Sequence, residues 1–282
     1  MTTRHDRPSG PRSAPPGAGR GRPGGFRPSD RSGDRRGGPG GPRGGPDDPV
    51  VLYGWHPVVQ ALGNSGRRLH RLLATENGAA RLAEALGTLP IVPEIVRPNA
   101  INALLGPDAV HQGLYLEVDP LPAPGLDALP EDALLLALDQ ITDPHNVGAI
   151  VRTAAAFGVA GIVTTLRHSP SATGVLAKSA SGGLEHVPLI TVRNLAEALI
   201  ELGERGFTRI GLDSEAETEL DAVGPRRPAV VVLGAEGKGL RQRTRECCDV
   251  LARIAFTGEI RSLNVSNAAA ITLYALSRPA QS

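Results

Sequence analysis

Three short segments of the sequence hold residues whose types and spacing could do chemistry. In the first, Asp139 closes an apolar run, a polar turn follows through Asp143, Pro144 and His145, and Asn146 and Arg152 then stand six residues apart on one expected helix. An amide and a guanidinium beside the carboxyl end of a strand could hold a ligand where open α/β sheets bind them. A helix N-cap and a surface cation would account for the same two residues. The second segment, Leu233 to Leu240, is a strand end running into Gly234, Glu236, Gly237, Lys238 and Gly239. Its glycines could let backbone approach a ligand closely; a Gly-rich turn with a solvated Glu-Lys pair is the plainer alternative. It matches neither a Walker A loop nor a dinucleotide fingerprint, which disfavours a nucleoside triphosphate site. In the third, Ile260 to Ile271, Ser262 and Asn264 stand at a helix start and small residues follow; capping alone would explain them.

The elements that must position these segments alternate in kind. Leu134 to Leu138 is a short continuous apolar run, as in a strand buried on both faces of a parallel sheet. Gly161–Thr165, Leu189–Val192, Arg209–Leu212, Ala229–Leu233 and Val250–Ile254 are further buried-strand candidates. Helices are expected over Val147–Phe157, Gly174–Leu184, Leu195–Arg205 and Asn264–Leu276. The alternation predicts a mostly parallel sheet covered on both faces. Ahead of it, strands over Val50–Tyr53, Leu69–Thr75, Ile91–Val96 and Gly113–Val118, with helices after Pro57 and over Ala79–Leu86 and Asn99–Leu105, predict a small α/β domain. Residues 119–131, with Pro120, Pro122, Pro124 and Pro130, resist both helix and central strand and form the expected linker. The resulting division is a tail over 1–48, a small domain over 49–118, the linker, and a larger domain over 132–282.

Charge agrees with that division. The 282-residue chain has a formal net charge of +1, yet its first 48 residues carry ten Arg against five Asp, leaving about −4 for the remainder. The tail is Gly-, Pro- and Arg-rich with almost nothing to build a core, the composition of a disordered segment. A nonspecific RNA-binding arm and a solvated extension without a specific role both fit it. RNA contact by the folded part must come from local patches, because its overall charge supplies no basic field. Lys178 and Lys238 are the only lysines, and the adjacent Cys247 and Cys248 suit neither a common disulfide nor a metal site. No apolar run reaches the length of a membrane span, and the N-terminus lacks the apolar core of a secretory signal, so a cytoplasmic protein is expected.

Taken together, the three segments, in this order and at these separations, resemble the three signature motifs of the SpoU (TrmH) branch of the SPOUT RNA methyltransferases. The opening Tyr53-Gly54-Trp55-His56-Pro57-Val58 and the closing His111-Gln112-Gly113 of the small domain look like the substrate domain, similar to ribosomal protein L30e, of the bacterial 23S rRNA guanosine 2′-O-methyltransferases. The resemblance implies an α/β sheet with a deep C-terminal trefoil knot, S-adenosylmethionine bound in it, and a homodimer built largely on the last helix. It implies that Leu233, Gly234, Gly237, Ile254 and Leu263 hold the cofactor, while Asn146, Arg152, Glu236, Ser262 and Asn264 form the catalytic set. The sequence departs from the usual third motif at Ala255, where Pro is common, and at Asn267, where Val is common.

Methyl transfer from a sulfonium is an in-line displacement that needs no metal, in keeping with the absence of a ligand cluster in the sequence. Arg152 is a poor base, since a guanidinium does not give up its proton in proteins; its expected work is to stabilise a developing alkoxide and fix a neighbouring phosphate. The expected substrate is a guanosine of 23S rRNA. A tRNA guanosine 2′-O-methyltransferase and a non-catalytic RNA-binding ribosome-assembly factor are the alternatives.

Overall fold

A computed structural model describes residues 49–167, 174–259 and 262–277. The expected tail over 1–48, the third segment's Ile260 and Arg261, and the last five residues lie outside them. In chain order the first elements are β1 (Val50–Tyr53), α1 (Trp55–Gly63), β2 (Leu69–Ala74), α2 (Glu76–Leu86), β3 (Glu94–Ile95), α3 (Pro98–Leu105) and β4 (Leu114–Val118). There follow β5 (Leu134–Asp139), α4 (Pro144–Ala156), β6 (Gly161–Thr165), α5 (Gly174–Ala180), β7 (Leu189–Val192), α6 (Leu195–Glu204) and β8 (Thr208–Leu212). The last are β9 (Thr218–Glu219), α7 (Leu220–Val223), β10 (Ala229–Gly234), α8 (Gln242–Glu246), β11 (Val250–Arg253) and α9 (Val265–Ser277).

The larger sheet has seven strands in the order β7-β6-β5-β10-β8-β11-β9, every pairing parallel. Strand alternation sends its central side chains into two cores. Leu134, Leu136 and Leu138 of β5 and Val231 and Leu233 of β10 face α4, α5, α7 and α9, while Leu135, Ala137, Val230 and Val232 face α6 and the residues flanking α8. Burial on both faces is why these strands read as unbroken apolar runs. The smaller sheet runs β1-β4-β2-β3, with only the β2–β3 pairing parallel. Leu52, Leu72, Leu114 and Leu116 pack on α1 and α2, and Leu73 and Tyr115 pack on Ile101 of α3 from the other face.

The two sheets meet along α5 and the turn after it. Ala177 of α5 belongs to the core of the smaller sheet, while Leu176 and Ala180 belong to the larger one. Arg67 and Glu185 form a 2.8 Å ion pair there, each side chain only 4% exposed. Asn64 donates to the other oxygen of Glu185 at 2.8 Å, so both ends of that buried carboxylate are satisfied.

Several expected boundaries move for local reasons. Helix α5 ends at Ala180, short of Leu184, because Ser181 and Gly182 adopt positive φ and a single 3-10 turn over Gly183–Glu185 replaces the last turn. Strand β3 is confined to Glu94 and Ile95 rather than Ile91–Val96, since Pro93 interrupts the run. Within the linker a 3-10 turn over Leu126–Ala128 buries Leu126 against the larger sheet. The short β9, α7 and α8 carry too few residues to have shown a period.

Candidate functional site

The site begins with how α4 is capped. Asp143 is the N-cap, its carboxylate accepting from the backbone N–H of His145 at 3.1 Å and of Asn146 at 3.4 Å, and Pro144 opens the helix. Asn146 is therefore not the cap that the sequence allowed it to be. Its side chain is left for another partner, which is Asn264: Nδ2 of Asn264 donates to Oδ1 of Asn146 at 2.9 Å. Asn264 in turn caps α9, Oδ1 accepting from Ser266 N at 2.8 Å and from Ser266 Oγ at 2.6 Å. Because Oδ1 of Asn264 is committed to Ser266, its amide must present Nδ2 to Asn146. The end that Asn146 then offers to anything else is its own Nδ2, a donor.

Helix α4 sits close enough to α5 that only glycine serves at 148. A Cβ there would lie 2.4 Å from Ser179 Cβ and 2.8 Å from the Leu176 carbonyl oxygen. On α4, Arg152 is solvent-exposed and, six residues after Asn146, projects about 120° around the helix from it.

Beyond β10 the chain makes a tight knuckle. Gly239 N donates to Ala235 O at 2.8 Å, and Gly237 and Gly239 have φ of +76° and +64°, which favour glycine. Gly234 lies against the returning end of the turn so closely that a Cβ would sit 2.2 Å from the Gly239 carbonyl carbon. Leu240 is buried and pins the far end of the knuckle to the core. Glu236 and Lys238 are exposed at its tip.

Between this knuckle and the segment leading into α9 lies a cavity of about 420 Å³ at the carboxyl ends of β8, β10 and β11. Leu233, Gly234, Glu236, Gly237, Ile254, Ser262 and Leu263 all line it. Seven of the ten residues singled out in the sequence thus share one space. Asn264 and Asn146 are joined next to it through the Ser262–Val265 segment, and Arg152 lies outside it. The walls are mostly apolar side chains and backbone, the make-up of a site for a flat, largely uncharged ligand body with a few polar anchors.

Two acidic residues in and around the site have roles that were not legible in the sequence. Asp213, after β8, lines the wall and is ion-paired to Arg245 of α8. Asp139, at the end of β5, is wholly buried and accepts from both the backbone N and Nε of Arg241, at 2.9 and 2.7 Å. The only signal for Asp139 was an acidic residue ending an apolar run. The adjacent Cys247 and Cys248 take no part in the cavity; burial pushes the Cys248 thiol up to about 12, which keeps it protonated and inert.

Residues 133–274 match the model of the SpoU rRNA Methylase family, and residues 51–124 match that of the RNA 2′-O ribose methyltransferase substrate binding domain. A 23S rRNA (guanosine-2′-O-)-methyltransferase of Pseudomonas putida is 35% identical over 239 residues, covering 82% of this chain and 96% of that protein. An uncharacterized tRNA/rRNA methyltransferase of Mycolicibacterium vanbaalenii is 34% identical over 84% of this chain and 78% of its own length. The fold is shared with the SpoU methyltransferase AviRb of Streptomyces viridochromogenes, solved in complex with AdoMet, at a TM-score of 0.70 and 24% identity over 82% of this chain and 89% of that one. With a match of this extent across the three segments and the sheet that carries them, the chain belongs to the SpoU rRNA Methylase family.

Proposed function

We propose that this chain transfers a methyl group from S-adenosylmethionine to a ribose 2′-hydroxyl of a guanosine in 23S rRNA. The observation that carries the reading is the single cavity that joins the glycine knuckle after β10 to the Ser262–Val265 segment, with Asn146 tied to its edge through Asn264. At about 420 Å³, with backbone and apolar walls, it is of a size and character to take an adenosyl group. The family and the named activity of its relatives supply the reaction class. The 23S guanosine rests on relatives such as the Pseudomonas putida enzyme; the tRNA/rRNA methyltransferases among the relatives keep a tRNA guanosine as the second reading.

When bound, S-adenosylmethionine supplies an electrophilic methyl on a sulfonium. The chain's own residues do the rest. Leu233, Gly234, Gly237, Ile254 and Leu263 hold the cofactor largely by shape and backbone, and the Glu236–Lys238 tip covers it. Asn146, held by Asn264, directs an N–H donor toward the reacting end, and Ser262 stands on the facing wall. Arg152 fixes the phosphate and stabilises charge developing on the ribose oxygen, the electrostatic role open to a group that stays protonated.

Its exposed position away from the cavity fits a site completed by a second copy of the chain. The homodimer would bury α9, whose Ile271 and Tyr274 are 41% and 56% exposed. The substrate-binding domain would span 49–118 and the methyltransferase domain 132–282, joined by 119–131; the matched segments 51–124 and 133–274 support two domains in this order, the first match running six residues into that linker. A trefoil knot accords with β11 inserting between β8 and β9 while α9 returns to pack on α4 and β10. Among the described residues no helix is long and apolar enough to cross a membrane, consistent with work on ribosomal RNA in the cytoplasm. Mapping ribose methylation in cells lacking this chain tests the reading: one 23S guanosine should lose its methyl group, and a loss confined to tRNA would overturn the substrate.

A further inference from the structure

Asp139 belongs to neither the cofactor-holding nor the catalytic set named above, yet it is a fully buried carboxylate at the point where the two halves of the site diverge. It is paired in register with Gly234 across the β5–β10 ladder, so it stands beside the residue at which the knuckle begins. Arg241 directly follows the knuckle, and both its backbone N–H and its Nε–H are held by the Asp139 oxygens. One carboxylate therefore sits next to the first residue of the knuckle and grips the residue after its last. On its other side Asp139 leads directly into Gln140, with φ of +62°, and the turn to Asp143 and Asn146.

A charge buried in this way is costly unless its oxygens are filled, and Arg241 fills both. The Arg241 side chain is itself 43% exposed, so the clamp is closed from the solvent side by a residue that the core does not require. Without the clamp, Gly237 and Gly239 leave the knuckle free to adopt other backbone conformations, and binding would have to order it at an entropic cost.

We infer that Asp139 and Arg241 are a positioning pair that sets the closed shape of the 234–240 knuckle before the cofactor arrives, and so sets cofactor affinity rather than RNA affinity. This rests on the cofactor reading above. The pair touches no reacting atom; it acts through the backbone of Gly234 to Gly239.

The test is titration calorimetry of S-adenosylmethionine into the full chain and into Arg241→Ala, Arg241→Lys and Asp139→Asn, with KM for each substrate measured alongside. Arg241→Ala keeps the backbone N–H bond but leaves Oδ1 of the buried Asp139 unfilled, so Arg241→Lys, which keeps a charge at that position, serves where Arg241→Ala or Asp139→Asn fails to fold. We expect the Kd and KM of Arg241→Ala for S-adenosylmethionine to rise about tenfold, the scale of one lost charge-assisted hydrogen bond. KM for RNA, and kcat at saturating cofactor, should stay within about twofold, a change well under one hydrogen bond. Arg241→Lys should recover part of the loss. If the unaltered chain binds no S-adenosylmethionine, the cofactor reading fails and this inference with it. If it binds and Arg241→Ala binds equally well, or shows only a raised KM for RNA, the inference alone is overturned.

Discussion

Asn264 donates a 2.9 Å hydrogen bond to Asn146 across 118 positions of sequence, tying the start of α9 to the first turn of α4. Each residue is oriented by its own helix start, Asn264 by the Ser266 N–H and Asn146 by the Asp143 cap, so the contact is set by backbone geometry as well as by side-chain choice. Replacing Asn264 with Ala should leave the fold intact and lower kcat by about 10²-fold, the effect of losing an oriented donor at a reacting centre. Asn264→Asp would keep the Ser266 cap but set a carboxylate against Oδ1 of Asn146, and should be no better. Single-turnover rates for both variants with equal cofactor occupancy make the check.

Arg152 is expected to act through the shape and permanent charge of its guanidinium. Arg152→Lys should lose at least about 10²-fold in turnover while binding S-adenosylmethionine normally, since a point charge cannot reproduce the planar fork. Near-normal turnover in the Lys variant would remove Arg152 from the catalytic set.

Gly148 and Gly234 should each reject Ala for different reasons. At 148 the added carbon meets Ser179 and the Leu176 carbonyl, so α4 and α5 must separate, and Gly148→Ala should lower Tm by several degrees, about 1–3 kcal/mol of overpacking. At 234 the added carbon meets backbone of the knuckle, so Gly234→Ala should abolish cofactor binding by calorimetry even where the fold survives.

The Arg67–Glu185 pair holds the two sheets together through a buried contact. Removing one partner leaves the other charge without compensation, at a cost of about 3–5 kcal/mol. Glu185→Gln should therefore lower the urea midpoint sharply, and the double variant Arg67→Met with Glu185→Leu should recover much of the loss. If the single variant is as stable as the unaltered chain, the pair does not join the sheets.

His111 makes stability depend on pH in a definite direction. Burial, and then the charge of Lys178, hold its imidazole below the ordinary 6.5. Its Nδ1 accepts from Gly113 N at 3.0 Å and its Nε2 lies 3.0 Å from Asn102 Oδ1, so the neutral Nε2–H tautomer satisfies both bonds and a second proton would oppose the first. The folded state thus prefers the neutral ring. Its contribution is complete above pH 6.5 and is lost as pH falls from there through the lower folded value. Thermal unfolding at pH 7.5 and 5.5 should show a larger drop for the unaltered chain than for His111→Gln.

The sheet was legible because β5 and β10 send alternate side chains into two separate cores, which leaves positions 134–138 and 229–233 all apolar. Elements of two to five residues, such as β9, α7 and α8, were not, since so short a stretch has no period to detect. The N-cap was misplaced by three residues because Asp143 and Asn146 are both good caps, and only the structure tells which one faces the helix N–H groups. In the site, the three segments could be found by residue type, but their meeting depends on contacts such as Asn146 with Asn264 that no local pattern encodes. Asp139 with Arg241, 102 positions apart, is illegible for the same reason. Before the structure, the case that the segments act together came from family resemblance rather than from periodicity or spacing.

The most direct test of the account is incubation of the purified chain with labelled S-adenosylmethionine and unmodified 23S rRNA, with tRNA in parallel, followed by mapping of the 2′-O-methylated positions. The account predicts label on a single 23S guanosine, incorporated about 10²-fold more slowly by Asn264→Ala and Arg152→Lys. Label confined to tRNA would contradict the substrate, and cofactor binding without transfer to either RNA would contradict the enzymatic reading itself.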